Sequence, residues 1–167
     1  QSFGGLISSF TFPWIAVTCT LSAFLGTNKA LQKQARLDAV TGIRNRLSFD
    51  IDLHSTEISF AAILDIDHFK QINDTYGHQA GDRALKTLCD IVSKHISDNF
   101  RFYRYGGEEF FILSRENKED FLKRLLTIWN DLKENFKLRE TEHLSVSIGV
   151  TENIKNDSDL LVEFADI

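Results

Sequence analysis

The chain has 167 residues, of which 43% are hydrophobic and 26% are charged, a composition typical of one globular domain with an additional segment. Its formal net charge of −5 argues against a nucleic-acid polymer as partner, because binding to a phosphate backbone relies on clustered Lys and Arg. The two cysteines, Cys19 and Cys89, have no metal-ligand spacing and predict no disulfide framework.

The N-terminal end differs from the rest of the chain. Residues 1–28 carry no charge, and Leu6–Leu25 is mainly apolar and long enough, as a helix, for a hydrocarbon core of roughly 30 Å. Pro13 and several hydroxyl residues make its hydropathy marginal, although membrane helices tolerate both. Basic residues follow within residues 29–37, which places the C-terminal side in the cytoplasm by the positive-inside rule. We predict a transmembrane helix in residues 1–28 and a helical signalling linker over residues 29–37. The alternative is a helix packed on a partner or on the domain.

An acidic pair follows the first apolar run of the domain. Asp38–Arg46 reads DAVTGIRNR and predicts a turn before a short helix that ends near His54. Phe60–Leu64 then predicts a buried strand that ends at Asp65. A divalent cation is one of the few partners that would justify both Asp65 and Asp67 there. The alternative for Asp67 is a cap on the following helical turn.

The spacing of apolar residues predicts the remaining helices and a strand. We expect a short helix at Phe69–Asn73, amphipathic helices at Ala80–Ile96 and Lys118–Phe136, a strand at His143–Val150 and a last helix at Ser158–Ile167.

A Gly-Gly turn with two acids behind it lies between two aromatic-rich segments. Arg104–Phe110 reads RYGGEEF, and the two glycines predict a two-residue hairpin turn, because glycine reaches positive φ without steric cost. Glu108 and Glu109 would then present carboxylates where a hard cation or a nucleotide phosphate could sit. Ordinary solvated surface acids are the alternative.

Five blocks together resemble one family. DAVTGIRNR, DIDHFK, INDTYGHQAGD, RYGGEEF and SIGV occur in the order found in the GGDEF domain of diguanylate cyclases, and the resemblance covers residues 38–167. It implies an α/β (α+β) palm-like nucleotidyl cyclase fold, with a central mixed sheet, packed helices and a GGEEF β-hairpin. It also implies an enzyme that condenses two GTP into cyclic di-GMP with release of pyrophosphate. Such an enzyme works as a homodimer through the domain and the linker helix, on the cytoplasmic side of the bacterial inner membrane.

The resemblance also implies roles for individual residues. Mg²⁺, or Mn²⁺, would be held by Asp65, Glu108 and the main-chain carbonyl of Ile66, and Asp65, Glu108 and Glu109 would be catalytic. The implied substrate-binding positions are Phe69, Lys70, Asn73, Asp82, Gly106 and Gly107. Asp82 would accept the N1–H and amine donors of guanine; its alternative role is an N-cap for a helix that starts near Arg83.

Two departures from the family bear on function. Ser97 and Phe100 occupy the positions of an Arg and an Asp that bind inhibitory product in many members, so feedback inhibition through that site is expected to be absent. Family chains also usually continue beyond a stretch like Phe164–Ile167 into a helix with phosphate-binding Lys and Arg. A non-catalytic module that binds GTP or a partner protein is therefore the alternative function.

Overall fold

A computed structural model describes four stretches of the chain. They are residues 17–22, 35–55, 57–140 and 142–152. The chain divides into two compact units, Gln1–Ala35 and Arg36–Ile167.

Little of the N-terminal unit is described. Residues 17–22, which belong to the predicted span Leu6–Leu25, form a helical segment. No helix within the described ranges is both long enough and apolar enough to cross a membrane. The rest of the predicted span, most of the linker and the predicted helix Ser158–Ile167 lie outside the described residues.

The described part of the second unit contains both strands and helices. Its elements are β1 Arg44–Asn45, α1 Arg46–Ser55, β2 Phe60–Ile66, α2 Phe69–Tyr76, α3 His78–Ser93, β3 Phe100–Arg104, β4 Glu109–Ser114, α4 Lys118–Asn135, β5 Lys137–Arg139, β6 Glu142–His143 and β7 Val146–Glu152.

Five of the seven strands form one mixed sheet in the order β1-β3-β4-β2-β7. β1 runs parallel to β3, whereas the β3–β4, β4–β2 and β2–β7 pairs are antiparallel. β5 and β6 form a separate two-stranded sheet. The predicted mixed sheet with packed helices and a hairpin is confirmed. β1 was not predicted, because two residues are too few for an apolar pattern.

Each face of the sheet has its own hydrophobic core. The larger core joins the sheet to α2, α3 and α4, and it contains the fully buried Leu88, Phe110 and Phe121. The smaller core lies under α1, where the rings of Phe49 and Tyr103 meet edge to face with centroids 5.6 Å apart. Burial on both faces explains why β2 reads as a continuous apolar run up to its acidic end.

The helix boundaries around Gly77 differ from the prediction. α2 continues to Tyr76 and α3 already starts at His78, so a single glycine with φ +81° replaces the expected loop. The Gly77 amide donates to the Asn73 carbonyl at 2.8 Å, which ends α2. Only glycine adopts such a backbone conformation at little cost, which permits so short a connection. The predicted strand His143–Val150 is in fact divided between β6 and β7.

Candidate active site

Strand pairing brings the predicted acids to one end of the sheet. β2 lies between β4 and β7, and Asp65 near its end pairs with Glu109 on β4. Glu108 directly precedes β4, and Asp67 directly follows Ile66, the last residue of β2. The side chains of Asp65, Asp67, Glu108 and Glu109 form what we call the acidic cluster.

The electrostatics of the acidic cluster favour a cation. Burial raises the pKa of Asp65, and the charges of Glu108, Glu109 and Asp67 raise it further. In the part of the chain that the structure describes, no ion pair with Lys, Arg or His involves any of the four acids. A divalent cation would relieve this repulsion.

The residues that could hold such a cation are few. Among the described residues, no group of three or more His, Cys, Asp and Glu side chains is arranged as a metal site. The predicted set instead combines the carboxylates of Asp65 and Glu108 with the Ile66 carbonyl. This set fits Mg²⁺, which usually takes one or two protein carboxylates and completes its shell with water and substrate phosphate.

The repulsion at Asp65 predicts a stabilising substitution. A raised pKa means that the folded state loses stability as the pH rises from the ordinary aspartate value of 3.8 through the folded pKa. Without divalent cations, Asp65→Asn should therefore raise Tm by a few degrees at neutral pH, and this gain should vanish in acid, where Asp65 is protonated in both states. Thermal unfolding across this pH range measures the difference. A lower Tm for Asp65→Asn at neutral pH would mean that the carboxylate has a stabilising partner.

The connection between β3 and β4 is longer than predicted. Four residues, 105–108, link the strands, and neither Gly106 nor Gly107 has a positive φ. The two-residue turn and its conformational reason are therefore wrong. A Cβ atom at Gly106 would lie 2.6 Å from Oε2 of Glu109 and would displace that carboxylate, whereas a Cβ atom at Gly107 would meet nothing within 4 Å.

The space at Gly106 gives a test. Gly106→Ala should displace the Glu109 carboxylate and reduce kcat by about ten- to a hundredfold, since misplacing a reacting group by about 1 Å costs up to that much. Glu134→Ala, an exposed substitution on α4 outside the acidic cluster, is the control and should retain the wild-type kcat. Steady-state rates of the two variants decide this. Equal rates would contradict a steric role for Gly106.

The hairpin is braced by a residue whose role was not predicted. The Arg104 guanidinium donates to the carbonyl of Gly106 at 3.2 Å and to that of Gly107 at 2.8 Å. It also donates to Oδ1 of Asp38 at 2.8 Å. Hydrogen bonds from Arg104 and Thr41 lower the pKa of Asp38 and outweigh the opposing effect of its burial. Arg104 therefore ties the acidic hairpin to the turn at which the domain begins.

The implied guanine-binding residues lie on α2 and α3. A Cβ atom at Gly81 would collide with Oδ1 of Asn73, so Asn73 lies directly against α3 at Gly81, the residue before Asp82. Asp82 is exposed in the second turn of α3, four residues after its start at His78. The alternative role of Asp82 as an N-cap is therefore wrong, and its carboxylate is free of that function.

The other implied substrate contacts differ in exposure. Lys70 is exposed on α2, as a phosphate ligand requires. Phe69 is only 8% exposed and belongs to the larger core, where it packs beside Gly81. Asn73 and Phe69 thus lie against α3 at Gly81, and Asp82 follows as the next residue of that helix.

Asp67 does not cap α2. The N-cap residue of α2 is His68, and α2 has no side-chain cap. The Asp67 carboxylate instead accepts a hydrogen bond from Oγ of Ser147 on β7 at 2.6 Å. The hydroxyl groups of Ser145 and Ser147 lower its pKa.

The chain belongs to the GGDEF domain family, because the family model described as diguanylate cyclase, GGDEF domain, matches residues 35–167. It is 30% identical over 155 residues to the diguanylate cyclase VdcA of Vibrio cholerae, covering 86% of this chain and 45% of that protein. An uncharacterized membrane protein of Staphylococcus epidermidis is 35% identical over 133 residues, which cover 71% of this chain and 37% of that protein. The chain thus spans less than half of these curated relatives.

Solved structures agree with this family and fold. The coiled coil and GGDEF domain of DgcB from Caulobacter crescentus, in complex with c-di-GMP, matches with a TM-score of 0.81 and 26% identity, covering 95% of this chain and 91% of that one. SiaD from Pseudomonas aeruginosa, a diguanylate cyclase in complex with its activator SiaC, matches with a TM-score of 0.73 and 25% identity, covering 96% and 66%. The predicted family and its fold are confirmed.

Proposed function

We propose that the protein is a diguanylate cyclase that condenses two GTP into cyclic di-GMP and releases pyrophosphate. The observation that carries the proposal is the pairing of Asp65 with Glu109, which places Glu108 at the same end of the sheet and leaves Asp65 with a raised pKa. Clustered acids that repel one another are suited to binding a nucleotide triphosphate together with Mg²⁺.

Each residue of the site has a separate task in this reaction. Asp65, Glu108 and the Ile66 carbonyl would hold Mg²⁺, which would neutralise charge that develops on the phosphates and the leaving pyrophosphate. Lys70 would contact the triphosphate. Glu109 would serve a second cation or the 3′-hydroxyl that attacks the α-phosphorus of the second GTP and displaces pyrophosphate.

We further propose that the active form is a homodimer. Each chain supplies one acidic cluster and so one nucleotide half-site, whereas the reaction joins two GTP molecules. The rate per chain should therefore rise with chain concentration until the dimer is saturated. A constant rate per chain well below the dimer dissociation constant would contradict this.

Membrane anchorage through residues 1–28 and dimerisation through the linker are part of the same proposal. Their support is the uncharged N-terminal sequence and the name of the Staphylococcus epidermidis relative, an uncharacterized membrane protein. Fractionation of cells that express the complete open reading frame tests the anchorage. Recovery in the wash without detergent would contradict it.

The products formed from GTP test the proposed activity. The protein encoded by the complete open reading frame, incubated with GTP and Mg²⁺, should yield cyclic di-GMP and pyrophosphate in chromatography. Mn²⁺ in place of Mg²⁺ tests which ion serves. Unchanged GTP in the presence of a folded dimer that binds GTP would favour a non-catalytic binding module.

The product is expected not to inhibit its own synthesis through the positions where the family resemblance places an inhibitory site. Phe100 is fully buried between the sheet and α4, so it cannot present a polar group to a ligand, and Ser97 has no basic group. Initial rates with added cyclic di-GMP measure the effect. Inhibition by cyclic di-GMP that persists at saturating GTP, where product cannot compete for the active site, would contradict the expectation.

A further inference from the structure

The corner between β2 and α2 is under backbone strain. His68 has φ 58° and ψ 29°, and it is the only residue other than glycine with a positive φ among those described. A left-handed conformation at such a residue costs on the order of 1 kcal/mol and persists only where the surroundings fix it. Contacts of the residues before and after His68 must therefore hold its left-handed conformation.

β7 holds the chain on the N-terminal side of this corner. The Asp67 amide donates to the Ser145 carbonyl at 3.1 Å, which extends the β2–β7 pairing by one residue. Its carboxylate accepts the 2.6 Å hydrogen bond from Ser147, the residue that pairs with Asp65. Asp67 is thus bound through its side chain to Ser147 of β7 and through its main chain to Ser145, the residue before β7.

Part of α2 does not pack against the chain that precedes β7. A cavity of about 270 Å³ lies between α2 and residues 142–145, with Gln71 and Thr75 on one side and Leu144 on the other. Across it, α2 is connected at its end by the Tyr76 hydroxyl, which donates to Glu142 at 2.8 Å. At its start, the connections are the bonds of Asp67 to Ser147 and to Ser145.

We propose that Asp67, held by Ser147, is a positioning residue that fixes the corner between β2 and α2. This inference rests on the proposed function. On one side of the corner lie Asp65 and the Ile66 carbonyl, which would hold the cation. On the other side lies the first turn of α2 with Lys70, followed by Asn73. By holding the Asp67 carboxylate, β7 therefore fixes the position of the cation ligands relative to the nucleotide contacts.

Single-group variants separate this role from direct cation binding. Ser147→Ala should lower kcat about tenfold, with little change in the KM for GTP. Tenfold is the lower end of the loss of activity that follows when a residue orienting a metal ligand is substituted. Ser147→Thr restores the hydroxyl group and should restore kcat. Asp67→Asn keeps an oxygen that can accept the bond and should retain most of the activity. A loss in Asp67→Asn as large as that in Glu108→Ala would instead make Asp67 a direct ligand and overturn the proposal.

Tyr76→Phe is the matched control, because it removes one hydroxyl bond at the opposite end of α2. It should leave kcat close to that of the wild type. An effect equal to that of Ser147→Ala would show that general tethering of α2, rather than the corner, matters, and would overturn the proposal.

Amide hydrogen exchange gives a readout that needs no turnover. Exchange at Phe69–Asn73 should be faster in Ser147→Ala than in the wild type or in Ser147→Thr. Unchanged exchange together with unchanged kcat would refute the positioning role. If the wild type made no cyclic di-GMP, the proposed function would fail, and the exchange rates would still decide whether Ser147 fixes the corner.

Discussion

Turnover of GTP is expected to fall by about a hundredfold or more when Glu108 is replaced by alanine. Even substitution of residues that only hydrogen-bond to a metal ligand typically lowers activity about 10–100-fold. The substitution removes one of two carboxylates assigned to the cation. The fold should survive, because Glu108 lies at a half-buried hairpin and its charge already opposes that of Asp65. Tm in the absence of divalent cations should therefore be equal to or higher than that of the wild type.

Glu134→Ala is the matched control for this variant, because Glu134 is exposed on α4, outside the acidic cluster. Pyrophosphate release at saturating Mg²⁺ and thermal unfolding should be measured for both variants. If Glu108→Ala turned over GTP as fast as Glu134→Ala, the cation assignment would be wrong. A large drop in Tm would show that Glu108 acts on the fold.

The second large effect is expected in the choice between GTP and ATP. A carboxylate at Asp82 can accept both the N1–H and the exocyclic amine of guanine, which adenine does not present in this arrangement. Asp82→Ala leaves those donors unmatched, which costs about 1–3 kcal/mol, or a factor of about 5 to 150 in GTP affinity. ATP affinity should change little, so the preference for GTP should be lost.

Stability provides the cross-check on Asp82. Because α3 starts at His78, alanine at position 82 replaces a residue inside the helix and should not lower Tm. Asp90→Ala, an exposed substitution further along α3, serves as control and should change neither affinity nor Tm. Full preference for GTP in Asp82→Ala would remove Asp82 from the guanine site.

The sequence predicted the elements of the site because its signals are local. Apolar runs located β2 and the hairpin strands, and the acids stand directly at their ends. Helical periodicity located α3 and α4 to within a few residues. Such patterns arise because one element is buried along its length. In the structure, β2 is buried between the two hydrophobic cores, as its apolar run predicts.

The contacts that organise the site could not be predicted in this way. Arg104 meets Asp38 across 66 positions, and Ser147 meets Asp67 across 80, so both contacts depend on the register of the sheet. Gly106 was assigned to a positive φ from the turn rule, but its φ is not positive, and the Glu109 side chain lies where its Cβ atom would be. Residue type alone does not distinguish these two reasons for glycine.

The position of the cation tests the account most directly. Crystals grown with Mn²⁺ and a GTP analogue that cannot release pyrophosphate would show the ion by its anomalous scattering. We expect Mn²⁺ between the carboxylates of Asp65 and Glu108, in contact with the Ile66 carbonyl and the triphosphate. A triphosphate bound elsewhere, with Mn²⁺ absent from the acidic cluster, would contradict it.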